Sequence, residues 1–179
     1  MSMREIKTEK KELLIGLISD THCPSKGEVP PEIIKEFKEK EIDYLFHLGD
    51  YCNWETYKLF IDEFGKDKFI GISGNMDNDK QLKKEVPETQ ELEIFGHKIF
   101  MTHGMGGPNM IIRRLNKNFD LKGYDIVIFG HVHRPYNEKK DGRLYLSPGT
   151  PSDKRFTDIN SYGYLKISKD KIDPTIIQI

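Results

Sequence analysis

Seven residues of this chain carry side chains suited to holding metal ions: Asp20, His22, Asp50, Asn75, His103, His131 and His133. They sit in five short polar clusters: Asp20-Thr21-His22, Gly49-Asp50, Gly74-Asn75, His103-Gly104 and Gly130-His131-Val132-His133. Any one cluster alone reads first as a turn, because Gly, Asp and Asn dominate turns for local reasons. The ordered set reads differently. Two carboxylates, one amide and four imidazoles suffice for two divalent ions, with one carboxylate left to bridge them. Two such ions about 3.5–4 Å apart polarise phosphoryl oxygens and lower the pKa of a water between them, a recurring device for hydrolysing phosphate esters. Mixed imidazole and carboxylate ligands suit Mn, Fe, Ni or Zn rather than Mg or Ca. The neutral amide of Asn75 limits the total negative charge, so an anionic phosphate can still enter.

The elements that must position these side chains follow from periodicity. Leu13 to Ser19 is a continuous apolar run that ends at Asp20, and Tyr44 to Leu48 and Phe69 to Ile72 end at Gly49-Asp50 and Gly74-Asn75. Such runs predict buried strands. Between them, Glu32 to Lys40 behind Pro30-Pro31 and Thr56 to Phe64 show helical spacing. Strand, helix, strand, helix, strand implies a parallel sheet covered by helices. Glu91 to Phe95 and Lys98 to Thr102 then flank Gly96-His97 as a hairpin. A helix is expected after Pro108, and a strand at Asp125 to Phe129 ends at Gly130-His131. The short segments from Arg143 onward predict a second, more antiparallel sheet. The sum is a two-sheet α/β sandwich, one domain over residues 1–179, with Met1 to Lys11 a loose extension. The positions Asp20, Asp50, Asn75, His103 and His131 are separated by 30, 25, 28 and 28 residues, one strand and its connection each time. Ligands in open α/β sheets gather at the carboxyl ends of strands, so five crossings deliver these residues to one edge. His47, inside a strand, reads as a packing or supporting residue, and His97, in the hairpin turn, as surface.

Composition narrows the partners. A length of 179 residues allows a sizeable single core. With 36% hydrophobic and 32% charged residues the chain reads as a soluble protein, and a formal net charge of −1 leaves no electrostatic footprint for nucleic acid or an anionic membrane. No stretch is long or apolar enough to span a bilayer, and the charged first residues do not read as a signal peptide, so a cytoplasmic location is expected. Cys23 and Cys52 make no disulfide framework and read as small residues beside the site. A homo-oligomer is compatible with all of this.

The order Asp-x-His, Gly-Asp, Gly-Asn, His-Gly, Gly-His-x-His resembles that of the calcineurin-like metallophosphoesterase superfamily, and within it the small phosphodiesterases related to the retromer subunit Vps29. The resemblance runs from about Leu13 to Arg155. It implies a four-layer αββα sandwich, two mixed sheets flanked by helices. It also implies two divalent transition ions per chain, manganese foremost, acting on a small phosphodiester. Asp20, His22, Asp50 and His133 would hold one ion, and Asp50, Asn75, His103 and His131 the other, with Asp50 bridging and a metal-bridging hydroxide as nucleophile. Asp50 and Asn75 would also serve catalysis by placing hydroxide and phosphate. Many members carry a His after the Gly-Asn, followed by an acidic residue. Here the run is Gly74-Asn75-Met76-Asp77, which removes a proton donor but keeps Asp77 as a catalytic candidate. The second departure is Ser147-Pro148-Gly149-Thr150 in place of Asn-Pro-Gly-Ser, followed by Arg155, a substrate-phosphate candidate ahead of Arg113, Arg114 and Arg134. The competing implication is a Vps29-like protein-binding scaffold with weak or no catalysis.

Overall fold

The computed structural model describes residues 3–23 and 29–179. In chain order the strands and helices are β1 Arg4–Ile6, β2 Glu12–Ile18, α1 Pro31–Glu39, β3 Tyr44–His47, α2 Trp54–Phe64, β4 Phe69–Gly71, α3 Lys80–Glu85, β5 Thr89–Ile94 and β6 His97–Thr102. A one-turn 3-10 helix at Pro108–Met110 leads into α4 Ile111–Asn118, followed by β7 Ile126–Phe129, β8 Pro135–Lys140, β9 Arg143–Pro148, β10 Ser161–Ser168 and β11 Ile172–Gln178. One sheet has the order β11-β10-β2-β3-β4 and the other β1-β5-β6-β7-β9-β8. Both are mixed: β2, β3 and β4 are parallel, as are β6, β7 and β9, while β10 runs antiparallel to β2 and β8 to β9.

Alternation of side chains along each strand sets the layers. Leu13, Ile15 and Leu17 of β2 and Phe46 of β3 share one apolar cluster with Leu92, Ile99, Met101, Ile126 and Ile128 of the other sheet, so these faces meet. The opposite faces are covered by helices. Leu45 and Phe69 pack with Ile33 and Phe37 of α1 and Phe60 of α2. Val127 and Phe129 pack with Ile111 and Leu115 of α4. The αββα sandwich is therefore present, and strands buried on both faces explain why β2 and β7 read as unbroken apolar runs.

Three expectations are corrected. The segment Met1 to Lys11 is not loose throughout: Arg4–Ile6 pairs in parallel with β5, and Ile6 is buried. The β5–β6 turn is Phe95-Gly96, one residue earlier than read. Both have positive φ, 54° and 86°, as the mirror-image turn that matches strand twist requires, and His97 becomes the first residue of β6. The tail is not one new sheet. β8 and β9 extend the second sheet beside β7, whereas β10 and β11 return to the first and cover the free side of β2.

Candidate metal centre

Each predicted ligand stands where a strand ends. Asp20 and His22 follow β2, Asp50 follows β3, Asn75 follows β4, His103 follows β6, and His131 and His133 follow β7. The first four come from one sheet and the last three from the other, so the site bridges the two at the carboxyl ends of their parallel strands. The backbone turns hard to deliver them. Asp20, His22, Asp50, His131 and His133 all have positive φ, between 50° and 70°. Such conformations are uncommon outside glycine, cost of order 1 kcal/mol each, and cluster at functional sites. Close approach sets a second requirement. A Cβ on Gly74 would lie 2.6 Å from the Asp50 backbone nitrogen and nearer still to its Oδ1. On Gly130 it would lie 2.8 Å from the Leu48 carbonyl and 2.9 Å from Asp20 Oδ2.

The side chains converge. One potential ligand atom from each of Asp20, His22, Asp50 and His133 fits within a 4.8 Å set, and all four residues are buried. The Nε2 atoms of His22 and His133 are 3.2 Å apart, His133 Nε2 is 3.3 Å from Asp20 Oδ1, and His22 Nε2 is 3.6 Å from Asp50 Oδ2. Ligands on bonds of about 2.0–2.2 Å at tetrahedral or right angles stand about 3.0–3.5 Å from each other, so these spacings suit one ion between them. On the other side of Asp50, its Oδ2 is 3.4 Å from His103 Nε2, and the His103 and His131 rings are 5.2 Å apart between centroids. His131 Nδ1 lies 2.8 Å from Asn75 Oδ1. Asp50 thus stands between two groups of donors. Its Oδ1 is already committed, accepting the Met76 amide at 2.8 Å, which aims Oδ2 at the histidines.

Two observations fit this set to cations. His103 Nδ1 is 2.6 Å from the Leu48 carbonyl, to which an Nδ1–H donates, so Nε2 is the nitrogen presented to the site. That Nε2 is buried and has no well-formed hydrogen bond; it faces carboxylate oxygens, Asp50 Oδ2 at 3.4 Å and Asp20 Oδ1 at 3.9 Å, between which a cation would fit. Electrostatics agree. Burial pushes the Asp50 carboxyl up, but the His103 ring, the Met76 amide and His22 outweigh it and hold the group at about 2. Burial alone would lower His103, yet Asp50, Asp20 and the Leu48 carbonyl raise it to about 9. The pocket therefore calls for positive charge. Burial is the leading cause that keeps His22 and His131 below the usual imidazole range, which leaves both neutral at neutral pH and available as ligands.

The remaining candidates take different places. Asp77 is buried and accepts three backbone amides: Asp50 and Gly74 on Oδ2 at 2.9 and 2.7 Å, and Cys52 on Oδ1 at 2.8 Å. These bonds make it the staple of the two ligand loops. Asp77→Ala should lower stability by about 3 kcal/mol, since each buried amide left without a partner costs about 1–3 kcal/mol. The measurement is the denaturant midpoint; an unchanged midpoint with lost turnover would return Asp77 to chemistry. Arg155 is exposed and pairs with Asp153, Nε to Oδ2 at 2.7 Å. His47 is wholly buried, stacked on Tyr51 at 3.8 Å. Its Nδ1 accepts the Gly49 amide at 3.2 Å, so Nε2–H faces Thr21 Oγ1 at 3.2 Å, and the neutral ring ties two ligand loops together. His97 is far from plain surface: half-buried, it contacts the Ser168 carbonyl through Nε2 at 3.0 Å.

Sequence reasoning missed the residues that brace Asp20 and His133. Ser19 Oγ donates to Asp20 Oδ2 at 2.5 Å, and Thr150 Oγ1 donates to the Asp20 carbonyl at 2.8 Å. Asp153 places Oδ2 3.7 Å from His133 Nδ1. The available signal for Asp153 was Arg155, a cation two residues on that needs a counter-charge.

Known proteins resemble this chain in sequence and in fold. The model of the calcineurin-like phosphoesterase superfamily domain matches residues 13–170. The chain belongs to that superfamily. A probable metallophosphoesterase of Methanocaldococcus jannaschii is 33% identical over 172 residues, covering 93% of this chain and 82% of its own. The phosphodiesterase YfcE of Escherichia coli strain K12 is 30% identical, covering 82% and 84% respectively. Among solved structures, Vps29 from Cryptosporidium parvum superposes with a TM-score of 0.72 over 95% of this chain and 99% of its own, at 20% identity, a likeness of fold. As a calcineurin-like phosphoesterase the protein is a metal-dependent phosphoesterase. Among the described residues no helix is long and apolar enough to cross a membrane.

Proposed function

We propose that this phosphoesterase is a phosphodiesterase with two divalent transition ions per chain, manganese foremost and nickel, iron or zinc as alternatives. The observation that carries the reading is the position of Asp50 Oδ2, 3.6 Å from His22 Nε2 on one side and 3.4 Å from His103 Nε2 on the other. Asp20, His22, Asp50 and His133 would hold one ion, and Asp50, Asn75, His103 and His131 the second. When bound, such ions neutralise phosphoryl charge and supply a water activated at neutral pH. The chain's own part is positional. Asp20 is clamped by Ser19 and by the His131 amide, Asp50 by the Met76 amide, and His103 by the Leu48 carbonyl. Asn75, on the exposed side, would bring an oxygen without charge, and Arg155, paired with Asp153, would offer its fork to a phosphate oxygen.

Met76 supports the diester reading. Its side chain is 43% exposed and cannot deliver a proton to a leaving group. A diester also brings one negative charge fewer than a fully ionised monoester. With saturating Mn²⁺, kcat/KM for bis(p-nitrophenyl) phosphate should exceed that for p-nitrophenyl phosphate, and chelation should abolish both. A monoester preference would overturn the substrate assignment. Turnover of neither, with both sites shown filled by metal analysis, would favour the Vps29-like scaffold.

A further inference from the structure

The loop between β9 and β10 packs against the His133 side of the site. Phe156 is the most exposed large apolar side chain among the described residues, at 61%. Its ring sits edge-on to His133, with centroids 5.2 Å apart at 75°, and the Arg155 guanidinium lies 5.6 Å from its centre. An aromatic ring left largely in water forgoes the hydrophobic free energy that burial would supply. The loop is tied down on both flanks. Ser152 Oγ donates to the Thr21 carbonyl at 2.9 Å, Asp153 binds Arg155, and Arg134 Nε donates to the Phe156 carbonyl at 3.0 Å. The ring is therefore presented by the same loop that braces Asp20 and reaches His133.

We propose that Phe156 is a stacking platform for an aromatic substituent of the substrate, which makes a nucleoside phosphodiester the preferred class; this rests on the diesterase reading above. A phosphodiester held between the predicted ligands with one ester arm toward His133 would bring a heterocyclic base to the Phe156 ring, 5.2 Å from the His133 ring. Every base has a π-face, and stacking on an aromatic side chain is tolerant of base identity. Arg155 adds a cation beside ring and phosphate alike. The surface here is one ring and Ile159 three residues on, framed by the exposed Arg134, Lys154 and Arg155. A stable protein interface needs a far larger contiguous patch, on the order of 800 Å² per partner.

The test uses two substrates with one leaving group, thymidine 5′-(p-nitrophenyl phosphate) and methyl p-nitrophenyl phosphate, and the full Mn²⁺-loaded protein. The ratio of their kcat/KM values should favour thymidine in the native protein. It should fall about tenfold in Phe156→Ala, mainly through KM, and recover in Phe156→Tyr, in line with the stacking of one base. Calorimetric binding of thymidine 5′-phosphate against methyl phosphate gives a second reading that needs no turnover. The same tenfold preference should appear there and vanish in Phe156→Ala. An unchanged ratio in both measurements overturns the platform, including the case in which Phe156 serves a protein partner. If neither ester is hydrolysed, the diesterase reading fails, and the binding preference alone then upholds or overturns the platform.

Discussion

Asp50→Ala should empty both ion sites and cut turnover on the order of a thousandfold or more, equivalent to about 4 kcal/mol of transition-state stabilisation. Asp50 Oδ2 stands closer to both His22 and His103, at 3.6 and 3.4 Å, than Asp20 Oδ1 does, at 3.9 Å from each. His22→Ala and His131→Ala should each weaken one site and leave the other measurable. Metal analysis beside kinetics separates these cases: no retained metal in the Asp50 variant, partial retention in the histidine variants. Asp50→Asn keeps the oxygen that accepts the Met76 amide and so isolates the loss of charge from loss of loop geometry. His97→Ala is the internal control. It loses a contact to the Ser168 carbonyl and should leave metal content intact. Equal metal loss from His97→Ala and His131→Ala would show that the histidines are misassigned.

Gly74→Ala should cost at least about a hundredfold in turnover, although it removes no ligand and adds only a methyl group. A shift of about 1 Å at a catalytic group is enough for a loss of that size. The added Cβ would stand 2.6 Å from the Asp50 backbone nitrogen, and backbone cannot swing aside as a side chain can. Asp50 must therefore move, and with it the carboxylate that stands closer to both His22 and His103. Gly96→Ala provides the contrast. A Cβ at Gly96 would point into open space, with nothing beyond its chain neighbours within 4 Å, so its only penalty is the backbone strain at φ 86°. Metal affinity should fall in Gly74→Ala and hold in Gly96→Ala, with circular dichroism confirming that both fold. Retained metal affinity in Gly74→Ala would mean the loop relaxes without carrying Asp50 along.

The strands that bear ligands were legible because burial on both faces leaves an unmistakable apolar run, as in Leu13 to Ser19, and because a polar cluster at each end marks where the run stops. What was illegible lacks that signature. Helix α3 buries only Leu82 and is held by the Asp79 cap, whose carboxylate accepts the Gln81 and Leu82 amides, so no amphipathic stripe announces it. Strand β8, Pro-Tyr-Asn-Glu-Lys-Lys, is a charged edge strand, and edges are protected from pairing by such residues rather than marked by alternation. The tail divides between the two sheets, which its sequence could not show, because strand spacing says nothing about which partner a strand crosses over to meet. In the site, the candidate residues that converge at the strand ends were readable from their types and order. The bracing by Ser19, Thr150 and Asp153 was not, since each acts through contacts with residues far away in the chain or through a single hydroxyl. Asp77, a catalytic candidate by position, also accepts three backbone amides, contacts visible only once the loops are brought together.

The predicted ligands come from both sheets, Asp20, His22, Asp50 and Asn75 from one and His103, His131 and His133 from the other. An ion held among them is a clasp between two halves of the molecule, closing a chain path of more than a hundred residues between His22 and His133. The unfolded chain has no such site, so by mass action the native state gains RT ln(1 + [ion]/Kd), about 2.7 kcal/mol at a hundredfold excess over Kd. A melting temperature for this protein is therefore a property of the protein and its buffer together, and has meaning only alongside the free ion concentration at which it was taken.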